Sequence, residues 1–187
     1  MSTHPELWAK NPGKDFTRNR KLGFNKLIHL MLGMRGNSIS KELYDYFKNE
    51  DLMTSSAFVQ QRDKLLPDAF EYLLHKFNEV SEDNLTYDDY YLYAIDGSDI
   101  NIAYNEEGET YCDFMKGLGF KGYNQFHVNA MYDVLNKTYK DCIVQPKPKE
   151  HETKAAWQMA DRCHFGHKSI ILADRGYGSF NLFEHIN

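Results

Sequence analysis

Two stretches decide how this chain is read: Tyr91-Leu-Tyr-Ala-Ile-Asp96-Gly97-Ser98 and Ile170-Ile-Leu-Ala-Asp174-Arg175-Gly176. In each, an apolar run of strand type delivers an aspartate at its C-terminal end, and a glycine then lets the chain turn away. Ligands of open α/β sheets gather outside the carboxyl ends of the strands, so two such aspartates on adjacent parallel strands would converge. Converging carboxylates repel, and a hard divalent cation relieves that repulsion through oxygen coordination. A pair of such ions activates a water and stabilises the leaving oxygen of a phosphodiester. The alternative is that each aspartate is a turn residue closing a strand end.

The segments between these two stretches set the order of elements. Phe126, Val128, Ala130, Tyr132 and Val134 alternate with Gln125, His127, Asn129, Met131 and Asp133, the period of a strand. Asn136-Lys137 divides it from Thr138–Val144, which predicts a hairpin. Residues 150–165 predict a helix with Ala156, Met159, Ala160 and Cys163 on one face, and residues 180–186 a further helix. Residues 90–187 therefore read as strand, strand, strand, helix, strand, helix.

Upstream the pattern is helical. Phe24, Leu27, Ile28, Met31 and Leu32 recur at helical spacing within residues 18–34, and Gly36-Asn37 stops that helix. Ile39–Phe47 follows, then a break at 49–51, then a helix from the cap residue Thr54 to about Leu65. Pro67 suits the first turn of a fourth helix carrying Phe70, Leu73, Leu74 and Phe77 at i, i+3, i+4, i+7. The expected organisation is a loosely held leader over 1–17, a helical domain over 18–78, an acidic linker over 79–89 and a strand-rich domain over 90–187.

Charge follows the same division. The whole chain of 187 residues has a formal net charge of −5. Residues 79–113 hold 11 acids and no Lys or Arg, whereas residues 10–41 hold eight bases and only Asp15. A basic N-terminal stretch suits phosphate, and a concentrated acidic one suits solvent or cations. Cys112, Cys142 and Cys163 are scattered and form no CxxC pair, as in a reduced cytoplasmic protein. No apolar run approaches the roughly 18 residues of a membrane span.

The segment Tyr93-Ala-Ile-Asp96-Gly-Ser-Asp99 resembles the first catalytic-aspartate segment of bacterial DDE transposases of the insertion-sequence-four family, and Leu172-Ala-Asp174-Arg-Gly-Tyr-Gly-Ser-Phe180 resembles the second. Lys121-Gly-Tyr123, His127-Val128 and Asp133 resemble the strand joining them. The resemblance implies an α/β fold: an incomplete ribonuclease-H-like mixed sheet, preceded by an all-helical N-terminal domain that binds the element ends. It implies Asp96 and Asp174 as catalytic ligands of Mg2+ or Mn2+. The partners implied are double-stranded DNA, as transposon ends and as target, and a second copy in a homodimer. The family's third acidic residue is a glutamate on a helix well downstream, so the expectation is a transposase truncated before it and inactive alone. Glu184 reads as an ordinary helix residue, and Asp99, at an odd offset from Asp96, as an accessory at most.

Helices 39–47 and 54–65 have the proportions of a helix-turn-helix with a long turn. The DNA-binding candidates are Arg62, Lys64, Lys121 and Arg175, although charged helix faces are as often simply solvated. Lys116, Lys147 and Lys149 fit either a DNA path or solvent. Cys163, His164 and His167 lack a second matching pair for a metal site. Two other functions fit the same residues: a minimal ribonuclease-H-like nuclease, and a non-catalytic DNA-binding remnant of a transposon.

Overall fold

The computed structural model describes residues 1, 3–48, 53–81, 85–113, 121–163 and 168–178. The chain forms two compact units, Met1–Tyr72 and Leu73–Asn187. The expected helix at 180–186, with Glu184, lies outside the described residues, as do Lys116, His164 and His167.

The first unit is built from helices. α1 spans Phe24–Gly33 and buries Phe24, Leu27, Ile28 and Leu30, while Leu32, expected on that face, is exposed. α2 spans Ile39–Phe47, with the Ser38 hydroxyl accepting from the Lys41 amide. The buried Glu42 carboxylate accepts from the Arg35 and Asn37 amides at 2.9 and 2.8 Å, which closes the α1–α2 turn. α3 spans Ser55–Arg62 behind its expected cap Thr54, and α4 spans Asp68–Val80, crossing the boundary between the units. The leader is not loose along its length. Ala9 is buried and pairs with Leu65, the Leu66 amide donates to Trp8, and the Trp8 ring lies 4.7 Å from Tyr72. A tryptophan removes too much apolar surface from water for that segment to stay unbound.

The second unit is α/β, with a mixed five-stranded sheet. β1 (Tyr91–Ile102) pairs antiparallel with β3 (Tyr123–Asp133) and parallel with β5 (Ser169–Leu172). β3 also pairs antiparallel with β4 (Thr138–Pro146) and, through its first residues, with the short β2 (Tyr111–Cys112). The β3–β4 hairpin turns where expected: Lys137 takes φ 57°, and the buried Asp133 carboxylate accepts from the Leu135 and Asn136 amides.

α5 (Glu152–Cys163) packs on one face of the sheet. Ala155, Ala156, Met159 and Ala160 are buried there, and the small alanines allow close approach. The core joins Ala156 and Met159 to Tyr93, Ile95, Met131 and Tyr177. No helix among the described residues is long and apolar enough to cross a membrane.

Two expectations need correction. Gly97 does not turn the chain away from Asp96: β1 continues to Ile102, because β3 pairs with it from Tyr93↔Asp133 to Ile102↔Asn124. Asp96 thus lies inside a strand and not at its end. In β3 the alternation is present, but the residues it buries are His127, Asn129, Met131 and Asp133, while Phe126, Val128, Ala130 and Tyr132 are half-buried on the other face. The polar set is tolerated because its members find hydrogen-bond partners: His127 with Asp99, Asn129 with Tyr177, and Asp133 with the turn amides.

Candidate active site

The parallel pairing of β1 with β5 ends at Ala94↔Leu172. Asp96 and Asp174 each follow that last pair by two residues, one on the strand that continues and one where the chain leaves the sheet. From Asp96 onward, β1 has no partner on its β5 side among the described residues.

The two carboxylates are held alike. Asp96 Oδ1 accepts from the Gly97 amide at 2.8 Å, and Asp174 Oδ1 accepts from the Gly176 amide at 2.7 Å. That second bond caps a one-turn 3-10 helix, Arg175–Tyr177. Both side chains are exposed, and each keeps its other oxygen without a hydrogen-bond partner among the described residues. Acceptor-only oxygens of this kind, on two carboxylates brought to neighbouring strands, fit a hard cation.

Tyr177 sits beneath them. It is buried, and its hydroxyl donates to Asn129, the residue paired with Gly97. Burial pushes this phenol up to about 12, and the negative charges of Glu152, Asp96 and Asp174 add to the shift. Its hydroxyl therefore stays protonated and donates.

Along β1 from this point lies a second set of charged groups. Asp99 pairs with His127 across the β1–β3 ladder, and Asp99 Oδ1 lies 2.6 Å from His127 Nδ1. Glu150 Oε2 is 3.1 Å from the same nitrogen. The ammonium of Lys147 contacts Asp99 at 2.9 Å and Glu150 at 2.6 Å. The hydrogen bond from His127 holds Asp99 below the ordinary carboxylate value, with Lys147 assisting against the opposing effect of burial. Burial opposes the Lys147 charge, but its bonds to Glu150 and Asp99 outweigh that and raise it. Asp99, His127 and Glu150 present ligand atoms within 4.8 Å of one another and could hold a metal, although Lys147 already pairs with both carboxylates.

Reading along the sequence finds Asp99 but misses His127, Lys147, Glu150 and Glu152 as a group. The signal available was the odd offset of Asp99, which places it on the α5 side once β1 is known to continue. Among the DNA-binding candidates, Arg175 is exposed one residue past Asp174, and Lys121 lies over the Tyr104 ring at 3.9 Å. In the first unit, Arg62 lies near the Phe58 ring and Lys64 donates to Gln61 at 3.2 Å. Lys64 also lines a cavity of 360 Å³ with Lys14, Arg18 and Arg20. Cys163 is no free thiolate: burial beside Met131 Sδ pushes it up to about 11.

A family model described as transposase DDE domain matches residues 87–187. The chain belongs to that family and so carries a transposase-type enzyme domain. No curated protein and no solved structure matches it.

Proposed function

We propose that the second unit is a ribonuclease-H-like catalytic domain of the insertion-sequence-four type, with Asp96 and Asp174 as the ligands of Mg2+ or Mn2+. The observation that carries this reading is the matched offset of the two aspartates beyond the last β1–β5 pair. A divalent ion bound there supplies an activated water and charge stabilisation for cutting a phosphodiester. The chain's own residues orient the ligands. The Gly97 and Gly176 amides each fix one carboxylate oxygen and leave the other available. Arg175, beside Asp174, offers a guanidinium fork to a DNA phosphate. Tyr177 and Asn129 brace the sheet beneath the two aspartates.

Binding to the transposon ends falls, on this reading, to residues 18–78. Their support is the basic cavity of Lys14, Arg18, Arg20 and Lys64, where no carboxylate lines the wall. Phosphate is the natural ligand of such a wall.

The test is Mn2+ binding by the chain of residues 1–187, followed by titration calorimetry. Asp96→Asn and Asp174→Asn are each expected to weaken binding strongly, without loss of the thermal transition. Unchanged Mn2+ binding in both variants would overturn the assignment. Nicking of a labelled element end in Mn2+, abolished by either substitution, would extend it to the chemistry.

A further inference from the structure

The β1–β5 pairing stops at Ala94↔Leu172, so the sheet itself does not hold the residue that carries the second aspartate. The turn that follows is shaped by its own short-range bonds. The Gly176 amide donates to Asp174 Oδ1 at 2.7 Å, the Tyr177 amide to the Asp174 carbonyl at 3.3 Å, and the Gly178 amide to the Arg175 carbonyl at 3.3 Å. These bonds give the turn its form, but none of them reaches β1, where Asp96 stands. A turn closed only on itself is free to shift, and a displacement of about 1 Å is enough to disable an arranged site.

Tyr177 supplies the missing tie. In the sheet order β3–β1–β5, β1 stands between the Asp174 turn and β3. The Tyr177 ring is 2% exposed and enters the core beneath the sheet with Ile95, Met131, Ala156 and Met159. Its hydroxyl ends on β3, donating to Asn129 Oδ1 at 3.3 Å. Asn129 is fully buried and is the register partner of Gly97, the residue after Asp96. The orientation of its amide is set from the other side. Asn129 Nδ2 donates to Gln145 Oε1 at 3.4 Å, and the same oxygen accepts from the His151 amide at 3.1 Å. With its nitrogen turned to Gln145, Asn129 offers its oxygen to Tyr177. Core packing asks for an aromatic ring at 177 but not for a hydroxyl, and a phenylalanine would leave that buried oxygen without its donor.

We propose that the Tyr177–Asn129 hydrogen bond is a positioning device for the cation site, fixing the Asp174 turn against the β1–β3 pair at the level of Asp96. Tyr177 is a positioning residue that acts through the backbone it shares with Asp174, and Asn129 is its anchor. The proposal rests on the assignment of Asp96 and Asp174 made above, and adds to it what holds the two in place.

The experiment is Mn2+ titration by calorimetry, with the electron paramagnetic resonance spectrum of bound Mn2+, on the 1–187 chain and its variants. Loss of an outer-shell partner costs a metal site about 10–100-fold in affinity, and Tyr177→Phe is expected at the lower end, about 10-fold, with an altered Mn2+ spectrum. Tyr177→Phe combined with Asn129→Ser should lose no more than the worse single variant, since both remove one bond. Arg162→Leu, which breaks an ion pair with Asp141 elsewhere on α5, should keep the parent affinity and spectrum. If Tyr177→Phe does not fold, Asn129→Ser decides by the same measurements, because it removes the acceptor and leaves the ring. An equal loss in Arg162→Leu would mark general loosening, and additive losses in the double variant would mean that the two residues act separately; either overturns the proposal. If Tyr177→Phe binds like the parent while Asp96→Asn and Asp174→Asn bind weakly, the proposal is overturned and the aspartate pair stands. If both aspartate variants bind like the parent, the pair fails and the proposal with it.

Discussion

Gly97 is the residue on which two sets of side chains depend. A methyl group there meets the buried His127 ring at a distance no relaxed structure keeps, and the ring has β3 behind it. Gly97→Ala should therefore destabilise the chain by about 1–3 kcal/mol, the usual cost of overpacking, although alanine suits a strand better than glycine does. Urea denaturation measures it, and a variant as stable as the parent would contradict this packing. Cys163 offers a chemical check at the same scale. With its thiol pushed up to about 11 from an ordinary 9.0, its thiolate fraction at pH 8 is about 100-fold lower than that of an unperturbed cysteine. Alkylation followed by mass spectrometry should find Cys163 slow in the native protein and fast in denaturant.

At the scale of elements, an ion pair between the exposed Arg162 and the buried Asp141 ties α5 to β4. Asp141 is fully buried, and Arg162 Nε donates to Asp141 Oδ2 at 2.8 Å while Nη2 donates to Oδ1 at 3.2 Å. Replacing Arg162 by leucine leaves the Asp141 charge without its main partner, an error that typically costs about 3–5 kcal/mol. Since burial already raises the Asp141 carboxyl, the variant should recover part of that loss by taking up a proton as the pH is lowered. The β1–β3 ladder carries the opposite case. Asp99 is held below its ordinary 3.8 by His127 and then Lys147. It binds its proton less tightly folded than unfolded, so its contribution is complete above 3.8 and disappears as the pH falls through the lowered value. The melting temperatures of wild type and Asp99→Asn, followed from pH 6 to pH 3, should differ at the upper end and converge below 3.8. A constant gap across that range would mean that Asp99 does not exchange its proton on unfolding.

For the molecule as a whole, the separation of charge matters more than the net value. Bases collect in residues 10–41 and acids in 79–113, so a polyanion and a cation have different parts of the chain to bind. DNA binding should weaken linearly in log K against log salt concentration as counterions return to the phosphates. Lys64→Ala should lower affinity similarly for every duplex sequence and reduce the salt slope by about 1, the mark of one lost phosphate contact. Fluorescence anisotropy at several salt concentrations measures both, and an unchanged slope would remove Lys64 from the interface.

Local chemistry alone determined the extent of α2 and the starts of α3 and α4, the last two through the Thr54 cap and Pro67, whereas α3 ends at Arg62, short of the expected Leu65. It also determined the buried face of α5, the β3–β4 turn at Asn136-Lys137, and Asp174 as the residue closing β5. Each of these rests on contacts within a few positions along the chain. The tertiary structure decided whether Gly97 turns or continues, because pairing with β3, about thirty residues away, outweighs the freedom of a glycine. It decided which face of β3 is buried, since α5 supplies the cover and partners such as Asn136 for Asp133 make a polar face affordable. It alone brought Asp99, His127, Lys147, Glu150 and Glu152 together, because proximity among residues so far apart in sequence exists only once strands and helix have packed.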